Sequence, residues 1–425
     1  MLIDTFTTTV ELRTYEACRE ALFSPHLSRT FDTRGYRDGN IREGIVSTAH
    51  GPMHRARRRV ENTQFRPDKL RLYEQELFPQ VLSDLLDQLI VGEEIDLYRV
   101  GETLASVLAS RRTGLDIRER DLDELAAIVE FVDIFSQGAA ILDSKDPDAV
   151  RATVYDAYER FDREYVTPAR QRREGLLARL AGGDLEEDDL THDILTALLQ
   201  HRTDPSLELM DGGRIVREVA TYLQGGTHTN GQTLVNAVDL LFEAEAGGRP
   251  GLVERTAEDR AFAQRVVHET LRIRPTTPKI RRRTVADVTI GGQAIPEGSL
   301  VIVDVVTANQ DPAFGDEPAR FDPDRAIAGD VPRWGLSFGG GAHICPGRTV
   351  AGGFPAPDAH GSADDPSADE HLFGLVALMV QGVLRRGIVP RPGDAGVRDT
   401  RTERFTRWAH YWVRVGAPRA ASAVR

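Results

Sequence analysis

The segment Phe338–Gly347, with the sequence FGGGAHICPG, constrains the fold of this chain more than any other stretch. Its glycines allow the backbone to approach a flat ligand closely, and Pro346, directly after Cys345, favours the first turn of a helix. A thiolate at that place is stabilised by backbone N–H groups and by the helix dipole, as an anionic metal ligand requires. The segment therefore predicts a metal-ligating cysteine, with a buried cysteine in a glycine-rich turn as the alternative.

Apolar residues recur at helical spacing through most of the chain before this segment. The spacing predicts helices within Glu74–Leu199, over Arg214–Glu245 and over Ala257–Ile273. The period then changes, because Val288–Val306 is β-branched and interrupted by Gly and Pro, which predicts a hairpin, and the terminal RFTRWAHYWVRV is also strand-like. The chain is expected to be mainly α with a small β region. Its 425 residues fit one large α-rich domain as well as two or three smaller ones.

Charge and cysteine content exclude several classes of protein. There are 53 Lys and Arg against 66 Asp and Glu, a net charge of −13, so the overall basic surface of a nucleic-acid-binding protein is missing. Two cysteines, Cys18 and Cys345, cannot form a disulfide framework or a four-cysteine metal site, which favours a cytoplasmic location. No signal peptide is recognisable, and the apolar run Leu372–Leu384 is too short to cross a membrane, so it predicts a buried helix.

The cysteine segment resembles the haem-binding loop of the cytochrome P-450 family, F-x-x-G-x-H-x-C-x-G. Further stretches resemble other marks of the family in the expected order: Gly51–Arg58 its helix C opening, Glu269-Thr-Leu-Arg272 its E-x-x-R pair, and Ala308–Pro312 and Arg320–Arg325 its A-N-R-D-P and R-F-D-x-x-R stretches. The resemblance covers almost the whole chain. It implies a prism-shaped, mainly α, single haem-thiolate domain over residues 1–425.

The resemblance also implies roles for individual residues. Cys345 would be the axial thiolate of haem b, which favours O–O cleavage. The remaining residues fall into two groups: cofactor-binding positions, with cations for the two haem propionates, and a structural cluster. The first group comprises His54, Arg58, Arg282, His343, Phe338 and Gly226, and the second comprises Glu269, Arg272 and Arg325. A solvated basic face is the alternative for His54 and Arg58, and a solvated ion pair is the alternative for Glu269 and Arg272.

The oxygen-activation segment departs from the family pattern [A/G]-G-x-[D/E]-T-[T/S]. The alcohol is present as Thr229, but His228 replaces the carboxylate, and both residues are predicted to be catalytic. A histidine facing the haem can relay protons or bind a polar substrate group, whereas a solvated or core histidine is the alternative. Clustered glycines, Gly225, Gly226 and Gly231, predict a local distortion of the helix that opens a groove. A nucleotide-binding loop is disfavoured because the required Lys is Gln at position 232 and the preceding residues are helical.

A second departure is the acidic, Gly/Pro/Asp-rich segment 352–370, which has a formal charge of −5 and predicts an exposed insertion loop beside the proximal side of the haem. In the family, the helix that follows the cysteine loop is uninterrupted. A loop at that place could affect the docking of the electron donor. The alternative is a tolerated loop that has no role in docking. The stretch Ser28–Thr48 is basic, which weakly favours an acidic substrate, although solvated loop charges explain it equally well.

The resemblance implies an oxidoreductase that activates dioxygen to oxidise a small organic molecule, in bacterial specialised metabolism. Its electrons would come from a ferredoxin or flavodoxin with an NAD(P)H-dependent reductase, and neither nucleic acid nor membrane is an expected partner. The substitution at His228 leaves non-hydroxylating haem chemistry open, such as cyclisation, nitration or nitrene-type transfer. A haem-thiolate sensor without turnover is the alternative from another class.

Overall fold

The computed structural model describes residues 6–29, 44–141, 144–207, 211–327, 330–354, 371–393, 396–401 and 405–418, and these form a mainly α structure with small sheets. The helices are α1 Tyr15–Phe23, α2 Gly51–Glu61, α3 Pro67–Leu72, α4 Phe78–Leu89, α5 Leu97–Thr113, α6 Leu122–Ala139, α7 Pro147–Phe161, α8 Thr167–Ala181, α9 Ile194–Gln200, α10 Gly212–Ala246, α11 Leu252–Glu258, α12 Arg260–Ile273, α13 Val305–Ala308, α14 Arg348–Gly352 and α15 Leu375–Arg385. The strands are β1 Thr9–Leu12, β2 Leu27–Ser28, β3 Glu94–Asp96, β4 Lys279–Thr284, β5 Val288–Ile290, β6 Gln293–Ile295, β7 Leu300–Asp304, β8 Ile388–Pro390, β9 Gly396–Arg398 and β10 Trp408–Val415.

The longest helix, α10, agrees closely with the predicted apolar periodicity. Asp211 is its N-cap and accepts a hydrogen bond from the backbone N–H of Arg214, which satisfies one of the unpaired donors of the first turn. The block predicted over Ala257–Ile273 is two helices, because Asp259 ends α11 and its carboxylate caps the backbone N–H of Phe262 at the start of α12.

The strands form three small sheets. The first has the order β1-β7-β4-β2, with β1 and β7 parallel, and it positions Arg282 on β4 opposite Val301. The second is built around β10, which pairs with β3, β8 and β9, so the strand predicted in the C-terminal RFTRWAHYWVRV is present. Within Val288–Val306, β5 and β6 form the hairpin, and β7 joins the first sheet.

The close crossing of α5 and α10 is the packing feature that matters most for the site. A Cβ atom on Gly231 would lie 2.9 Å from the backbone nitrogen of Glu102, and one on Gly226 would lie 3.0 Å from Cβ of Ala109. Both glycines therefore allow the two helices to touch. The helix is continuous through residues 225–231, so the expected local distortion is absent from this described stretch, and close packing explains two of its three glycines.

The helix after the cysteine loop is interrupted, as the sequence indicated. Helix α14 ends at Gly352, and the chain resumes a helix only at α15. Across the interruption, the N–H of Phe354 donates to the carbonyl of Leu372 at 2.8 Å, and Gly353, at φ +70°, leaves no room for a side chain because a Cβ would lie 2.1 Å from that same carbonyl oxygen. The sequence predicts the loop over 352–370. Its first residue, Gly352, is the last residue of α14, and its residues 355–370 lie outside the described residues.

The two chain segments at the interruption are held by side chains from elsewhere. The amide nitrogen of Gln264 lies 2.9 Å from the carbonyl oxygen of Gly352, 2.7 Å from that of Phe354 and 3.0 Å from that of Leu372. The carboxylate of Glu74 accepts hydrogen bonds from the backbone N–H groups of Phe373 and Gly374, at the start of α15. We call these contacts the clasp. Elsewhere, none of the helices in the described part of the chain is long and apolar enough to cross a membrane.

Candidate functional site

The glycine-rich loop holds Cys345 directly before α14. The backbone N–H of Cys345 donates to the carbonyl of Phe338 at 2.9 Å, which closes the loop. Gly341 has φ +61°, and a Cβ there would lie 2.5 Å from the carbonyl oxygen of Leu22 in α1, so a side chain would push the loop away from that helix. The glycines thus allow a tight turn packed against α1, and the cysteine stands at its end.

The surroundings of Cys345 act on its thiol in two directions. The net effect is a raised pKa of Cys345, because burial outweighs the backbone N–H groups of Gly347 and Arg348 and the charge of Arg58, which lower it. Arg58 is held against the loop, because its Nη2 donates to the carbonyl of Ile344 at 2.9 Å. The groups that favour the thiolate therefore come from the helix start and from α2, the arrangement expected for an anionic ligand.

The second cysteine has a different environment. The Sγ of Cys18 donates to the carbonyl of Leu12 at 3.2 Å inside α1 and the first sheet. Burial raises the pKa of the Cys18 thiol to about 12, so it remains protonated.

Cationic side chains gather beside the cysteine loop. The rings of His54 and His343 stack with centroids 4.0 Å apart. Burial, followed by the charge of Arg58, lowers the pKa of His54 to about 4, and burial followed by the positive neighbours His54, Arg29 and Arg282 lowers that of His343. The structure therefore brings together all four residues predicted to contact the propionates, and Arg29 joins them. Three arginines together with two neutral imidazoles, each of which can donate a hydrogen bond, are suited to an anionic ligand.

The other residues singled out by sequence border the loop and α10. Phe338 packs edge-to-face on Trp334, with centroids 5.3 Å apart. Gly226 faces α5, whereas Gly225 is the glycine beside open space, because nothing lies within 4 Å of a Cβ built there. Thr229 donates from Oγ1 to the carbonyl of Gly225 at 2.6 Å, a helical contact that leaves its hydroxyl oxygen next to that opening.

His228 is 1% exposed and is packed within the protein, not turned to bulk solvent. Its Nδ1 lies 3.3 Å from Oη of Tyr98 and 3.7 Å from Oε1 of Glu102. The ring of Phe405 packs edge-to-face on it at 5.9 Å. The solvated alternative is thereby wrong, and what remains is either a structural or a catalytic histidine.

Glu269, Arg272 and Arg325 meet in the core below the site. Arg272 binds both carboxylate oxygens of Glu269, at 2.8 and 2.6 Å, and Nε of Arg325 lies 3.2 Å from Oε1 of Glu269. Arg272 is fully buried, and its Nη1 also donates to the carbonyls of Asn309 and Pro318 at 2.6 Å. The cluster ties α12 to the segment that leads into the cysteine loop, and it is not a solvated surface pair.

Three residues of the site were missed by sequence reasoning. Arg29 was assigned to the substrate loop, of which residues 30–43 lie outside the described part of the chain. Tyr98 and Glu102 are separated from His228 by more than a hundred residues and belong to no motif. The only signal that could have indicated them is the pair Gly101 and Gly231, whose lack of side chains permits a close helix crossing.

Comparisons with known proteins show what this chain is similar to. The family model for cytochrome P450 matches residues 248–352. The chain is 26% identical to cyclooctat-9-en-7-ol 5-monooxygenase of Streptomyces melanosporofaciens over 80% of this chain and 76% of that one. It is 26% identical to 2-hydroxyisoflavanone synthase of Glycine max over 57% of this chain, and it spans about half, 49%, of that relative. The crystal structure of CalO2 matches with a TM-score of 0.71 at 21% identity, covering 96% of this chain and 90% of that chain.

The fold and the cysteine loop define a haem-thiolate protein. The match to the cytochrome P450 family model and the similarity to relatives and solved structures of that family support a cytochrome P450 family protein, for which the cofactor would be haem b. The donor set fits this cofactor, because one thiol at a helix start suits an iron ligand. Three arginines and two imidazoles, with no acidic side chain among the charges that perturb His54 and His343, suit two propionates.

Proposed function

We propose that this chain binds haem b through Cys345 and oxidises a small organic molecule with dioxygen. The observation that carries the proposal is the loop Phe338–Gly347, which presents a cysteine at a helix start beside a cluster of arginine and histidine side chains. Bound haem b with a thiolate ligand supplies the oxygen-activating chemistry. The protein's own share is to hold the thiolate with the N–H groups of Gly347 and Arg348, and to pair the two propionates with His54, Arg58, Arg282, His343 and Arg29.

On the side of α10, Thr229 and His228 are proposed to handle protons and to orient the substrate. The alcohol of Thr229 lies beside the opening at Gly225, where it can hold a water molecule. Burial and the charge of Arg407 lower the pKa of His228, so its imidazole is neutral near pH 7 and can accept a proton.

The proposal also includes an electron-donating partner, a location in the cell and a metabolic role. A small iron–sulfur or flavin protein, a ferredoxin or a flavodoxin with an NAD(P)H-dependent reductase, would deliver the electrons. The two unpaired cysteines favour the cytoplasm. The Streptomyces relative, whose name describes a monooxygenase acting on cyclooctat-9-en-7-ol, supports a role in bacterial specialised metabolism.

Reconstituted turnover tests the proposal. The haem-loaded protein is mixed with a surrogate ferredoxin and its reductase, and NAD(P)H consumption is followed with candidates chosen by a spectral binding screen that includes carboxylated aromatics. Substrate-dependent NAD(P)H consumption and a product heavier by one oxygen atom are expected. No consumption with any binding ligand would favour a haem-thiolate sensor.

The histidine at position 228 favours a second candidate, haem chemistry that does not insert oxygen. The same assay distinguishes the two, because a cyclised, nitrated or nitrene-derived product has a different mass. Labelled dioxygen provides the control, since its oxygen appears in a hydroxylated product and not in a cyclised one.

A further inference from the structure

His228 contacts a buried tyrosine and a buried carboxylate from α5. Its Nδ1 lies 3.3 Å from Oη of Tyr98, and Oη of Tyr98 lies 2.8 Å from Oε1 of Glu102. Tyr98 is 2% exposed, and Glu102 and His228 are each 1% exposed. The carboxylate of Glu102 on α5 therefore lies beside His228, although α10 itself has a histidine and not a carboxylate at position 228.

The hydrogen bonds fix the position of the ring proton. Burial raises the pKa of Tyr98 well above its usual value, so its hydroxyl stays protonated and donates to Glu102. The hydroxyl oxygen is then the acceptor for Nδ1 of His228, which must carry the proton of the neutral imidazole. Nε2 keeps its lone pair, and none of the residues that the structure describes forms a hydrogen bond with it.

The helix crossing brings these groups into contact. A Cβ on Gly231 would lie 2.9 Å from the backbone nitrogen of Glu102, and one on Gly101 would lie 3.1 Å from the carbonyl oxygen of Gly231. Larger residues at either position would separate α5 from α10 and move Glu102 away from the imidazole. The close approach of the two backbones thus brings the side chains within reach of one another.

Two arginines flank the carboxylate. Nη1 of Arg99 lies 3.4 Å from Oε2 of Glu102, and the Arg99 side chain is 57% exposed whereas that of Glu102 is buried. On the other side, Nη2 of Arg407 lies 3.8 Å from Oε1 and 3.4 Å from Oη of Tyr98. Arg407 lowers the pKa of His228, whereas Glu102 raises it.

A second carboxylate balances Arg407. Oδ1 of Asp133 on α6 lies 2.7 Å from Nη2 of Arg407, and Asp133 also binds the half-exposed Arg401 at 2.9 Å. Asp133 raises the pKa of His228 together with Glu102. Asp399 lies 3.5 Å from Nε of Arg407 and 2.9 Å from Nη2 of Arg401, so the charged groups around the imidazole are three carboxylates and three arginines. Among them, Glu102 is the carboxylate nearest to the ring.

We propose that Glu102 and Tyr98 are positioning residues for His228, whose Nε2 exchanges a proton with a water molecule or polar substrate group. They hold Nδ1 in the protonated form and leave Nε2 as the basic atom. When Nε2 takes up a proton, the carboxylate of Glu102 stabilises the imidazolium charge, and the proton later leaves from Nε2. This inference rests on the proposed function, and it assigns to α5 the carboxylate that the oxygen-activation segment of α10 lacks.

Nitrogen-15 NMR of histidine-labelled, haem-loaded protein tests the inference in the diamagnetic ferrous carbon-monoxide form. Comparison with His228→Gln identifies the resonance of His228 among the 11 histidines. The wild type is expected to show the Nδ1–H tautomer. Glu102→Gln keeps the acceptor for Tyr98 but removes the charge, so protonation of His228 should become at least about tenfold less favourable, one pKa unit. Tyr98→Phe should abolish the tautomer preference.

The control is Ser106→Ala, a buried substitution one turn further along α5, where the hydroxyl contacts only the carbonyl of Thr103 among the described hydrogen bonds. It should leave the tautomer and the protonation of His228 unchanged. An Nε2–H tautomer in the wild type, or unchanged protonation in Glu102→Gln, overturns the inference. If Glu102→Gln does not fold, the tautomer of His228 in the wild type and in Tyr98→Phe is sufficient to test the inference.

A turnover measurement separates this inference from the proposed function. In Glu102→Gln, the ratio of product to NAD(P)H consumed should fall and its pH midpoint should shift in the same direction as the NMR midpoint, with haem content unchanged. A ratio and pH midpoint equal to those of the wild type would overturn the inference. Failure of the wild type to turn over any substrate would instead contradict the proposed function and leave the NMR result standing.

Discussion

Arg272→Ala should be among the most damaging single substitutions outside the haem site. The guanidinium is fully buried, and its loss would leave the carboxylate of Glu269 without its bidentate partner and the carbonyls of Asn309 and Pro318 without a donor. Glu269 would keep the N–H of Asp322 at 2.9 Å and Nε of Arg325 at 3.2 Å. The remaining contacts mitigate the loss but do not replace it.

The expected magnitude follows from these contacts. Removing one partner of a buried ion pair costs about 3–5 kcal/mol. Unfolding entropy of about 2.1 cal/mol/K per residue amounts to roughly 0.9 kcal/mol/K over 425 residues, so a loss of about 4 kcal/mol lowers the melting temperature by about 4–5 °C. Because typical folding stability is about 5–15 kcal/mol, the yield of haem-loaded protein should also fall.

Differential scanning calorimetry at one fixed scan rate, together with haem content per protein, is the assay. Arg320→Ala is the matched control, since Arg320 pairs with Asp322 and Glu317 at 2.9 Å but its side chain is 55% exposed. A surface pair of that kind contributes about 0–1 kcal/mol, so the control should lose about 1 °C or less. Equal melting temperatures for Arg272→Ala and Arg320→Ala, with full haem content in both, would show that the reasoning about the buried cluster is wrong.

Three further predictions concern the thiolate, a buried acid and the acidic segment. Cys345→Ala should abolish the ferrous carbon-monoxide band that gives the family its name, whereas Cys18→Ala should keep it; a persistent band in the first variant would refute the ligand assignment. Burial, followed by the charge of Glu218, raises the pKa of Glu61 from 4.5 to about 8, so the folded chain binds this proton more tightly than the unfolded chain and loses stability as the pH rises through that window. Glu61→Gln should therefore flatten the pH dependence of chemical unfolding between about pH 5 and 8, and an unchanged slope would contradict it. Deleting residues 355–370 while keeping the clasp should preserve haem binding and accelerate reduction by an acidic ferredoxin at low salt. A variant in which the five acids of the segment are changed to amides is the control. Equal reduction rates across a salt series would show that the segment has no role in docking.

How far the sequence could predict the fold depended on whether a signal was local. The apolar periodicity of α10 is local, and the predicted Arg214–Glu245 agrees with Gly212–Ala246 to within two residues at each end. The break at Asp259 was missed, because a capping aspartate is indistinguishable in sequence from a solvated one until the backbone around it is known.

The same distinction between local and non-local signals applies to the residues of the candidate site. The cysteine loop is one contiguous stretch, so its residues could be located before the structure was known. The contact of His228 with Tyr98 and Glu102 arises only when two helices cross, and nothing near position 102 distinguishes that glutamate from one on a solvated face. Gly231 was interpreted as a source of helix distortion because a glycine signals loose structure and tight packing alike, and only the neighbouring helix decides between them.

The clasp holds the two ends of the segment 355–370 together, which makes this segment a suitable place for an insertion. Phe354 and Leu372 are joined by a backbone hydrogen bond of 2.8 Å, so whatever connects them begins and ends at nearly the same place. Each doubling in length of a flexible connection of this kind costs only about 0.6 kcal/mol of closure entropy. A folded domain whose termini lie close together, such as an electron carrier, could therefore be grafted between residues 354 and 371, tethering the donor to the chain that it reduces.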